Sequence, residues 1–437
     1  MSTNIRKLAF ELLRSYEEEG RYVNLLLSSR KVSGLTKEEK NALTVLLYTA
    51  VEKKITYDYF TSAFSKRQIG EIDPYVRDII RIGLCQILDM KSVPDFAAVN
   101  ESVKLARHKG EAGFVNAVLR AAVRSKDALP YPKREKNLAR YLSVYYSVPL
   151  PTVKLFMGIV GEDECEDLIS AMSKEAGISF TVNENKISRD ELLLKLEKFG
   201  AKPSANTDNG IVFEKSVSPK ELDGFSEGEF FVQDESSRLA AAALDVKAGD
   251  RVIDVCSAPG GKAFAAAIKA GKEGSVFAFD IHESKISLIQ DGAERLGLQN
   301  LSCGVLDATA PDESLFGTFD KVICDVPCSG FGVFAKKPDL RYKDVATACE
   351  LPPLQYEILE KSSSYLKAGG TLVYSTCTIN PAENEGVTDK FVEAHPEFSY
   401  EAAEIRGIDF SKGHLTLMPH KNGTDGFYIA KLRKNND

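Results

Sequence analysis

Two cysteines and one aspartate stand where a covalent reaction on a pyrimidine ring is possible. Asp325 and Cys328 follow one apolar, strand-like run, and Cys377 follows another. The carboxyl ends of neighbouring parallel strands meet at one edge of a sheet, where such proteins hold substrates. A thiolate that adds to carbon 6 of cytosine makes carbon 5 reactive, and a carboxylate can hold the amino edge and N3 of the ring. The three residues therefore predict covalent chemistry on a base that has left its stack.

A glycine-containing segment upstream predicts a pocket for a nucleoside. Small residues after a first strand let the backbone approach a ligand, and the following helix start offers free N–H groups. Asp280 ends the second strand, where it can accept both ribose hydroxyls, and Asp307 follows the next strand, where it can contact an adenine amino group. The segment reads Cys256, Ser257, Ala258, Pro259, Gly260, Gly261 and Lys262.

Each of these features has a plain structural alternative when it is taken singly. The glycine segment also suits an ordinary tight turn between a strand and a helix, and Asp307 also suits a loop. Three such features at successive strand ends together describe an adenosine pocket. The glycine segment matches neither GxGxxG nor GxxxxGK[ST], which disfavours a dinucleotide dehydrogenase and a P-loop NTPase.

The remaining cysteines predict neither disulfides nor a metal site. The chain has eight cysteines and no CxxC pair, so a disulfide framework and a zinc site are both disfavoured. We interpret five of them as small buried or incidental residues. These are Cys85, Cys165, Cys303, Cys324 and Cys349.

Hydrophobic periodicity predicts three domains of different fold class. Residues 1–138 read as an α-helical domain, in which Asp73-Pro74 starts an amphipathic helix. Residues 139–228 predict a small α+β module with a strand at 178–182. Residues 229–437 alternate strands and helices, as a doubly wound, mostly parallel sheet requires.

Charge is distributed unevenly along the 437 residues. The whole chain carries a formal charge of −7, but residues 1–140 carry +8 and the remainder −15. The basic part therefore predicts contact with a polyanion, although an ordinary solvated helical surface has the same composition. The sequence contains no uninterrupted apolar run of about eighteen residues and no signal-peptide core, so we expect a cytoplasmic protein without a membrane anchor.

The motifs resemble those of the Sun (Fmu) family of bacterial small-subunit (16S) rRNA cytosine-C5 methyltransferases, within the NOL/NOP/Sun class. Two upstream segments, 98–101 and 113–120, resemble the NusB-like RNA-binding domain fused in front of such enzymes. The resemblance thus covers nearly the entire chain. The motifs of the last domain are 233–237, 257–262, 325–330, 374–378 with 383–385, and 423–428.

The resemblance implies roles for single residues. Cys377 would attack carbon 6, Cys328 would assist release of the product, and Asp325 would contact both base and cofactor. Residues 256–262, with Asp280, Asp307 and Asp325, would bind S-adenosyl-L-methionine. The resemblance further implies an RRM-like fold for residues 139–228, a Rossmann-like fold for the last domain, small-subunit rRNA as partner, no metal and a monomer.

Alternatives remain at this stage. DNA cytosine methyltransferases use the cysteine of the proline-cysteine motif, and the additional Thr376-Cys377 motif is what favours RNA. A tRNA cytosine-C5 methyltransferase and a non-catalytic RNA-binding ribosome-assembly factor are the competing functions. Four basic residues near the active edge can bind phosphates or belong to a solvated loop. These are Lys336, Lys337, Arg341 and Lys343.

Overall fold

The computed structural model describes residues 3–174, 177–214 and 217–436, and residues 1–2, 175–176, 215–216 and 437 lie outside this description. The chain divides into two compact units, Met1–Ile169 with Lys337–Lys343, and Ser170–Lys336 with Asp344–Asp437. The three-part division at 138/139 and 228/229 stays a prediction.

The first unit is helical, as predicted. The predicted helix start is confirmed, since the Asp73 carboxylate accepts a hydrogen bond from the Tyr75 amide and Pro74 is the first helical residue. The helices are α1 Thr3–Glu19, α2 Val23–Leu27, α3 Arg30–Ser33, α4 Lys37–Glu52, α5 Lys54–Ser65, α6 Pro74–Leu88, α7 Asp95–Val103, α8 Lys109–Arg124, α9 Leu138–Tyr145 and α10 Leu150–Met172. Helix α10 is kinked at Gly161 and reaches the unit boundary in its last turn.

The core of the helical unit lies between α1, α4, α6 and α8. The apolar residues predicted to share one face of α6, among them Val76, Ile79 and Leu84, are buried there. Arg81 on the same helix is also buried, and its guanidinium binds the carboxylates of Asp58 and Asp78. A buried arginine requires such partners because its charge is lost from water.

The segment Lys337–Lys343 belongs to the helical unit and contains a 3-10 turn, Pro338–Tyr342. Arg341 in this turn is only 1% exposed, and its guanidinium donates to the Glu52 carboxylate and to the Tyr146 carbonyl. The phosphate-binding role considered for Arg341 is therefore wrong, because protein groups already neutralise and bury its charge.

A four-stranded antiparallel sheet begins the second unit. Its strands are β1 Ile178–Val182, β2 Lys202–Pro203, β3 Gly210–Phe213 and β4 Phe230–Val232, in the order β2-β3-β1-β4, with helix α11 Arg189–Leu196 after β1. Phe180 and Phe230 pack with Leu192 in its core. The predicted strand at 178–182 is confirmed, and the RRM-like character of the module stays a prediction.

An eight-stranded mixed sheet forms the rest of the second unit. Its strands are β5 Arg251–Asp254, β6 Ser275–Asp280, β7 Leu301–Val305, β8 Phe319–Asp325, β9 Leu366–Thr376, β10 Phe398–Tyr400, β11 His414–Leu417 and β12 Phe427–Lys434. The order is β10-β12-β9-β8-β5-β6-β7, with β11 paired to β12. Strands β5 to β9 pair in parallel, and β12 pairs antiparallel with β9.

Helices cover the mixed sheet and bury its apolar residues in two clusters, one containing Leu239 and Ala263 and the other containing Ile358 and Phe391. The predicted alternation of strands and helices is confirmed for the parallel part. The helices are α12 Glu235–Ala243, α13 Gly261–Ala270, α14 Glu283–Leu296, α15 Val345–Ala348, α16 Leu351–Ser363, α17 Glu385–Ala394 and α18 Pro419–Asn422.

Within the described residues, no single helix has the length and apolar composition needed to cross a membrane. Helices α9 and α10 meet both criteria only when counted together, and they are bent by 119° relative to each other.

Candidate active site

Two thiols face each other where β8 and β9 end. The parallel register aligns Asp325 with Ser375, so Cys328 and Cys377 leave the sheet at the same edge. Their Sγ atoms lie 3.2 Å apart, and both residues are partly accessible. The placement predicted from the strand ends is therefore confirmed, and their chemical roles stay predictions.

Direct hydrogen bonds join the loops that carry the two thiols. The Gly332 amide donates to the Cys377 carbonyl at 3.0 Å. The Ser329 hydroxyl donates to the Thr378 hydroxyl at 2.8 Å. Because both bonds join the two loops beside the sulfur pair, neither loop can shift alone without breaking them.

A buried carboxylate, Glu383, organises the same two loops. It is fully buried, and its Oε2 accepts from the Ser329 amide at 2.8 Å and from the Gln355 side chain at 3.1 Å. Its Oε1 accepts from the Asn380 side chain. The motif 383–385 is visible in the sequence, but the role of Glu383 in joining the two loops is not. The groups that donate hydrogen bonds to Glu383 lie up to 54 residues away from it in the sequence.

Asp325 holds its carboxylate between two donors. Lys262 Nζ donates to Oδ2 and Ser375 Oγ donates to Oδ1, each at 2.6 Å. Lys262 is 7% exposed on α13, whereas the Asp325 side chain is 33% exposed. The cation thus fixes one oxygen from the protein side and leaves the carboxylate accessible at the sheet edge.

A second carboxylate beneath this pair was not predicted as a site residue. Asp254 ends β5 and is 1% exposed. Burial raises the pKa of Asp254 to about 7, while the Lys262 charge lowers it and the Asp325 charge raises it. A protonated, neutral Asp254 therefore lies beside the Lys262–Asp325 ion pair at acidic pH.

Two thiols at the site, those of Cys328 and Cys256, favour their protonated forms. The pKa of Cys328 is raised well above the usual value, first by its hydrogen bond with Cys377 and then by burial. The pKa of Cys256 is also raised, chiefly by burial. Cys328 is therefore a protonated thiol within hydrogen-bond distance of Cys377 rather than a resident thiolate.

A cavity of about 300 Å³ adjoins Asp325 at the ends of β5 to β8. It brings together five of the predicted cofactor residues with apolar side chains such as Leu306 and Ile358. Those five are Cys256, Ala258, Asp280, Asp307 and Asp325. Asp280 is oriented by the amides of Ala258 and His282, which donate to its Oδ2 and Oδ1.

The other predicted cofactor residues shape the turn beside this cavity. Ser257, Pro259 and Gly260 form the turn between β5 and α13, and Gly261 and Lys262 begin the helix. Gly260 has φ +109°, and a Cβ there would lie 2.4 Å from the Phe264 ring. Glycine is thus required at 260 by both backbone conformation and space.

The partly buried Lys336 joins two of the family motifs, 233–237 and 423–428. Lys336 Nζ donates to Asp425 at 2.7 Å and also to Asp234. Two carboxylates already accept hydrogen bonds from this ammonium group, which argues against the phosphate-binding role considered for Lys336. Among the described residues, no group of three or more His, Cys, Asp or Glu side chains is arranged to hold a metal ion.

The fold and the site define a methyltransferase. The family model of the 16S rRNA methyltransferase RsmB/F matches residues 241–433, which include the cavity and both thiols. The NusB family model matches residues 3–124 of the helical unit.

Similar proteins extend this match over nearly the whole chain. A probable ribosomal RNA small subunit methyltransferase B of Bacillus subtilis is 35% identical over 99% of both chains. The Synechocystis protein described in the same words is 32% identical over 98% of this chain and 99% of its own. The chain therefore belongs to the RsmB/F family of 16S rRNA methyltransferases, and the predicted resemblance, including its NusB-like part, is confirmed.

Solved structures agree with this assignment. The crystal structure of PH0851 covers 99% of this chain and 99% of its own, with a TM-score of 0.79 and 25% identity. A methyltransferase homolog protein from Pyrococcus horikoshii covers 68% of this chain and 99% of its own, with a TM-score of 0.60 and 28% identity.

Proposed function

We propose that this rRNA methyltransferase transfers a methyl group from S-adenosyl-L-methionine to carbon 5 of a cytosine in small-subunit rRNA, through a covalent bond between Cys377 and carbon 6. The observation that carries the proposal is the sulfur pair, 3.2 Å apart, at the same sheet edge as Asp325 and its cavity. A methyltransferase acting on a more nucleophilic atom has no need of a thiol there.

The cavity residues fit the cofactor. Asp280 offers a carboxylate whose orientation is fixed by two amides, as contact with a ribose diol requires. Asp307 and apolar side chains such as Leu306 line the part suited to an adenine ring. When bound, S-adenosyl-L-methionine supplies an electrophilic methyl group on a sulfonium.

Asp325 would hold the amino edge and N3 of the flipped cytosine. Its two oxygens are fixed by Lys262 and Ser375, so the carboxylate is preorganised before the base arrives. Because charge develops on the ring when the thiolate adds, a carboxylate acceptor fixed in this way toward the amino group and a protonated N3 stabilises the adduct more than free cytosine.

The two cysteines would divide the remaining work. Cys377 adds to carbon 6, which makes carbon 5 nucleophilic. After methylation a base must take the carbon 5 proton before the bond between carbon 6 and Cys377 can break. The Cys328 sulfur can accept that proton as its own thiol proton passes to the departing Cys377 sulfur. Cys328 lies within hydrogen-bond distance of the Cys377 sulfur and keeps its proton, so it is placed to assist departure of Cys377.

The substrate is tested by incubating the full chain and cofactor with unmodified small-subunit rRNA and sequencing after bisulfite treatment. We expect one protected cytosine, and absence of any protected cytosine would reject this substrate. Parallel reactions with tRNA separate the proposal from a tRNA methyltransferase. Lack of transfer to every RNA, despite cofactor binding, would instead favour a non-catalytic assembly factor.

A further inference from the structure

Four tyrosines form a continuous aromatic surface within the helical unit, after the last NusB-matched helix. The ring centroids of Tyr131 and Tyr145 lie 5.1 Å apart, and Tyr141 stacks on Tyr145 at 5.2 Å with a 27° interplanar angle. Tyr146 meets the edge of Tyr145 at 4.9 Å. Despite this packing, Tyr145 remains 44% exposed. A large aromatic ring left in water on an otherwise packed aromatic cluster is available to stack on a ligand.

Exposed cations border these rings. Lys133, Arg134, Lys136 and Arg140 are all exposed. The Arg134 guanidinium lies 6.0 Å from the centre of the Tyr141 ring. Between residues 124 and 141 the sequence contains six basic residues and only two acidic ones. Aromatic faces interleaved with surplus cations are the surface chemistry that single-stranded nucleic acids recognise.

Part of the aromatic surface also lines a cleft. The cleft has a volume of about 570 Å³, and its lining includes Tyr131, Tyr145 and the buried ring of Phe60. Lys53, Lys91 and Lys126 also line it, together with Asp89 and Asp95, which form ion pairs with Lys53 and Lys126. A single unstacked base fits this volume, whereas the faces of bases in an RNA duplex are hidden by stacking.

We propose that this tyrosine cleft, lined by Tyr131 and Tyr145, binds a single-stranded stretch of the substrate RNA, with Tyr141 stacked on Tyr145 and the exposed Lys133 and Lys136 in the segment between these tyrosines. Bases stack on the tyrosine rings and the lysines bind the adjoining phosphates. The inference rests on the proposed function for the identity of the RNA, but the binding chemistry is independent of the methyl-transfer reaction.

The test measures fluorescence anisotropy of a labelled twelve-residue oligouridylate with the full chain. This probe contains no cytosine, so covalent chemistry at Cys377 does not contribute. The double variant Tyr141→Leu with Tyr145→Leu keeps apolar volume and removes the aromatic faces, and we expect affinity to fall at least about five-fold. Phenylalanine at both positions should restore binding, and Tyr22→Leu, at another exposed tyrosine of the helical unit, should leave it unchanged.

A second variant tests the cations without altering the packed rings. Lys133→Gln with Lys136→Gln should reduce the slope of log affinity against log salt by about 1.4, or roughly 0.7 for each lost phosphate contact. The matched control is Lys31→Gln with Lys40→Gln, at two exposed lysines elsewhere in the helical unit. Thermal melting establishes that each variant is folded.

Unchanged affinity and salt slope in both double variants would overturn the inference, as would failure of the unaltered chain to bind the oligonucleotide. This result is distinguishable from failure of the proposed reaction. A chain that binds RNA through the cleft but places no methyl on cytosine would contradict the reaction and leave the cleft assignment standing.

Discussion

Cys328 and Cys377 lie 3.2 Å apart, yet their surroundings suit different tasks. The Cys328 backbone loop is tied to Glu383 through the adjacent Ser329 amide, and its thiol keeps its proton. Cys377 follows directly on β9, with its carbonyl held by the Gly332 amide. Under the proposed function, a protonated Cys328 thiol at this distance is suited to assisting the departure of the Cys377 sulfur.

At the residue scale, Asp325→Asn tests the preorganised carboxylate. The asparagine amide keeps the shape of the carboxylate, but it has one hydrogen-bond acceptor atom and so cannot accept hydrogen bonds from both Lys262 and Ser375. It also lacks the negative charge that the adduct requires. We expect methyl transfer to fall by roughly 10² to 10⁴, the range for loss of a positioned acid–base group, and thermal stability to fall because the nearly buried Lys262 loses its charged partner. Single-turnover transfer of labelled methyl groups measures this, with the exposed Asp409→Asn as control. Activity within three-fold of the unaltered enzyme would contradict the role of Asp325.

Asp254 predicts a pH dependence of stability. Its pKa of about 7 in the folded protein exceeds the unfolded value of about 4, so the folded state binds the extra proton between these values. Its contribution to the free energy of unfolding is therefore present below pH 4, falls as pH rises, and is lost above pH 7. An asparagine at position 254 does not titrate, so the variant Asp254→Asn does not lose this contribution as pH rises. The difference in Tm, variant minus unaltered chain, should therefore increase by a few degrees from pH 5 to pH 8.

Thermal melts across that pH range provide the measurement. The control Asp409→Asn, at an exposed carboxylate, should give a constant Tm difference from pH 5 to pH 8. A Tm difference for Asp254→Asn that stays flat or declines with pH would contradict a folded-state pKa of about 7 for Asp254.

Residue identity and position were sufficient to predict Cys328, Cys377 and Asp325, because each follows an apolar strand whose end is visible in the sequence. Asp254 escaped prediction although it ends such a strand, since burial by the completed sheet is what perturbs it. Arg341 was misread because its carboxylate partner, Glu52, lies 289 residues away. Sequence patterns report local periodicity, whereas these two environments arise only from tertiary packing.

At the scale of elements, the parallel strands were predictable because β-branched and aromatic runs such as Arg251–Asp254 alternate with longer helical patterns. The antiparallel strands were harder to predict from the sequence. Strand β2 has only two residues, and both are exposed, so it lacks an apolar pattern. The connection between the two loops that carry the thiols could not be predicted either, because it is made by the Glu383 side chain rather than by the backbone of either strand.

Glu383→Gln tests that connection. An amide can accept through only one of its two polar atoms, so at least one of the donors from Ser329, Gln355 and Asn380 loses its acceptor. We expect the free energy of unfolding to fall by about 1 to 3 kcal/mol. We also expect the rate of methyl transfer to fall, by a larger fraction than the free energy of unfolding does. Urea unfolding and transfer assays are compared with Glu393→Gln, an exposed carboxylate on α17. Unchanged activity would show that the loops hold their geometry without Glu383.

At the scale of the whole molecule, the charge pattern and the family assignment agree. A basic segment of +8 coincides with the helical part that the NusB family model matches, and the acidic remainder carries the cavity and the thiols. Under the proposed function, attraction to the phosphate backbone and chemistry on a base would belong to different parts of one chain. The tyrosine cleft adds a means of holding unpaired RNA without base-specific hydrogen bonds.

The central claim is that Cys377 bonds to the RNA and that Cys328 releases it. The measurement is denaturing gel electrophoresis of the full chain after reaction with labelled small-subunit rRNA and S-adenosyl-L-methionine. Cys328→Ala should accumulate a protein–RNA adduct that survives denaturation, whereas Cys377→Ala should form none and the exposed Cys349→Ala should behave as the unaltered chain. An adduct that forms with Cys377→Ala and is absent with Cys328→Ala would contradict the account by exchanging the two sulfurs.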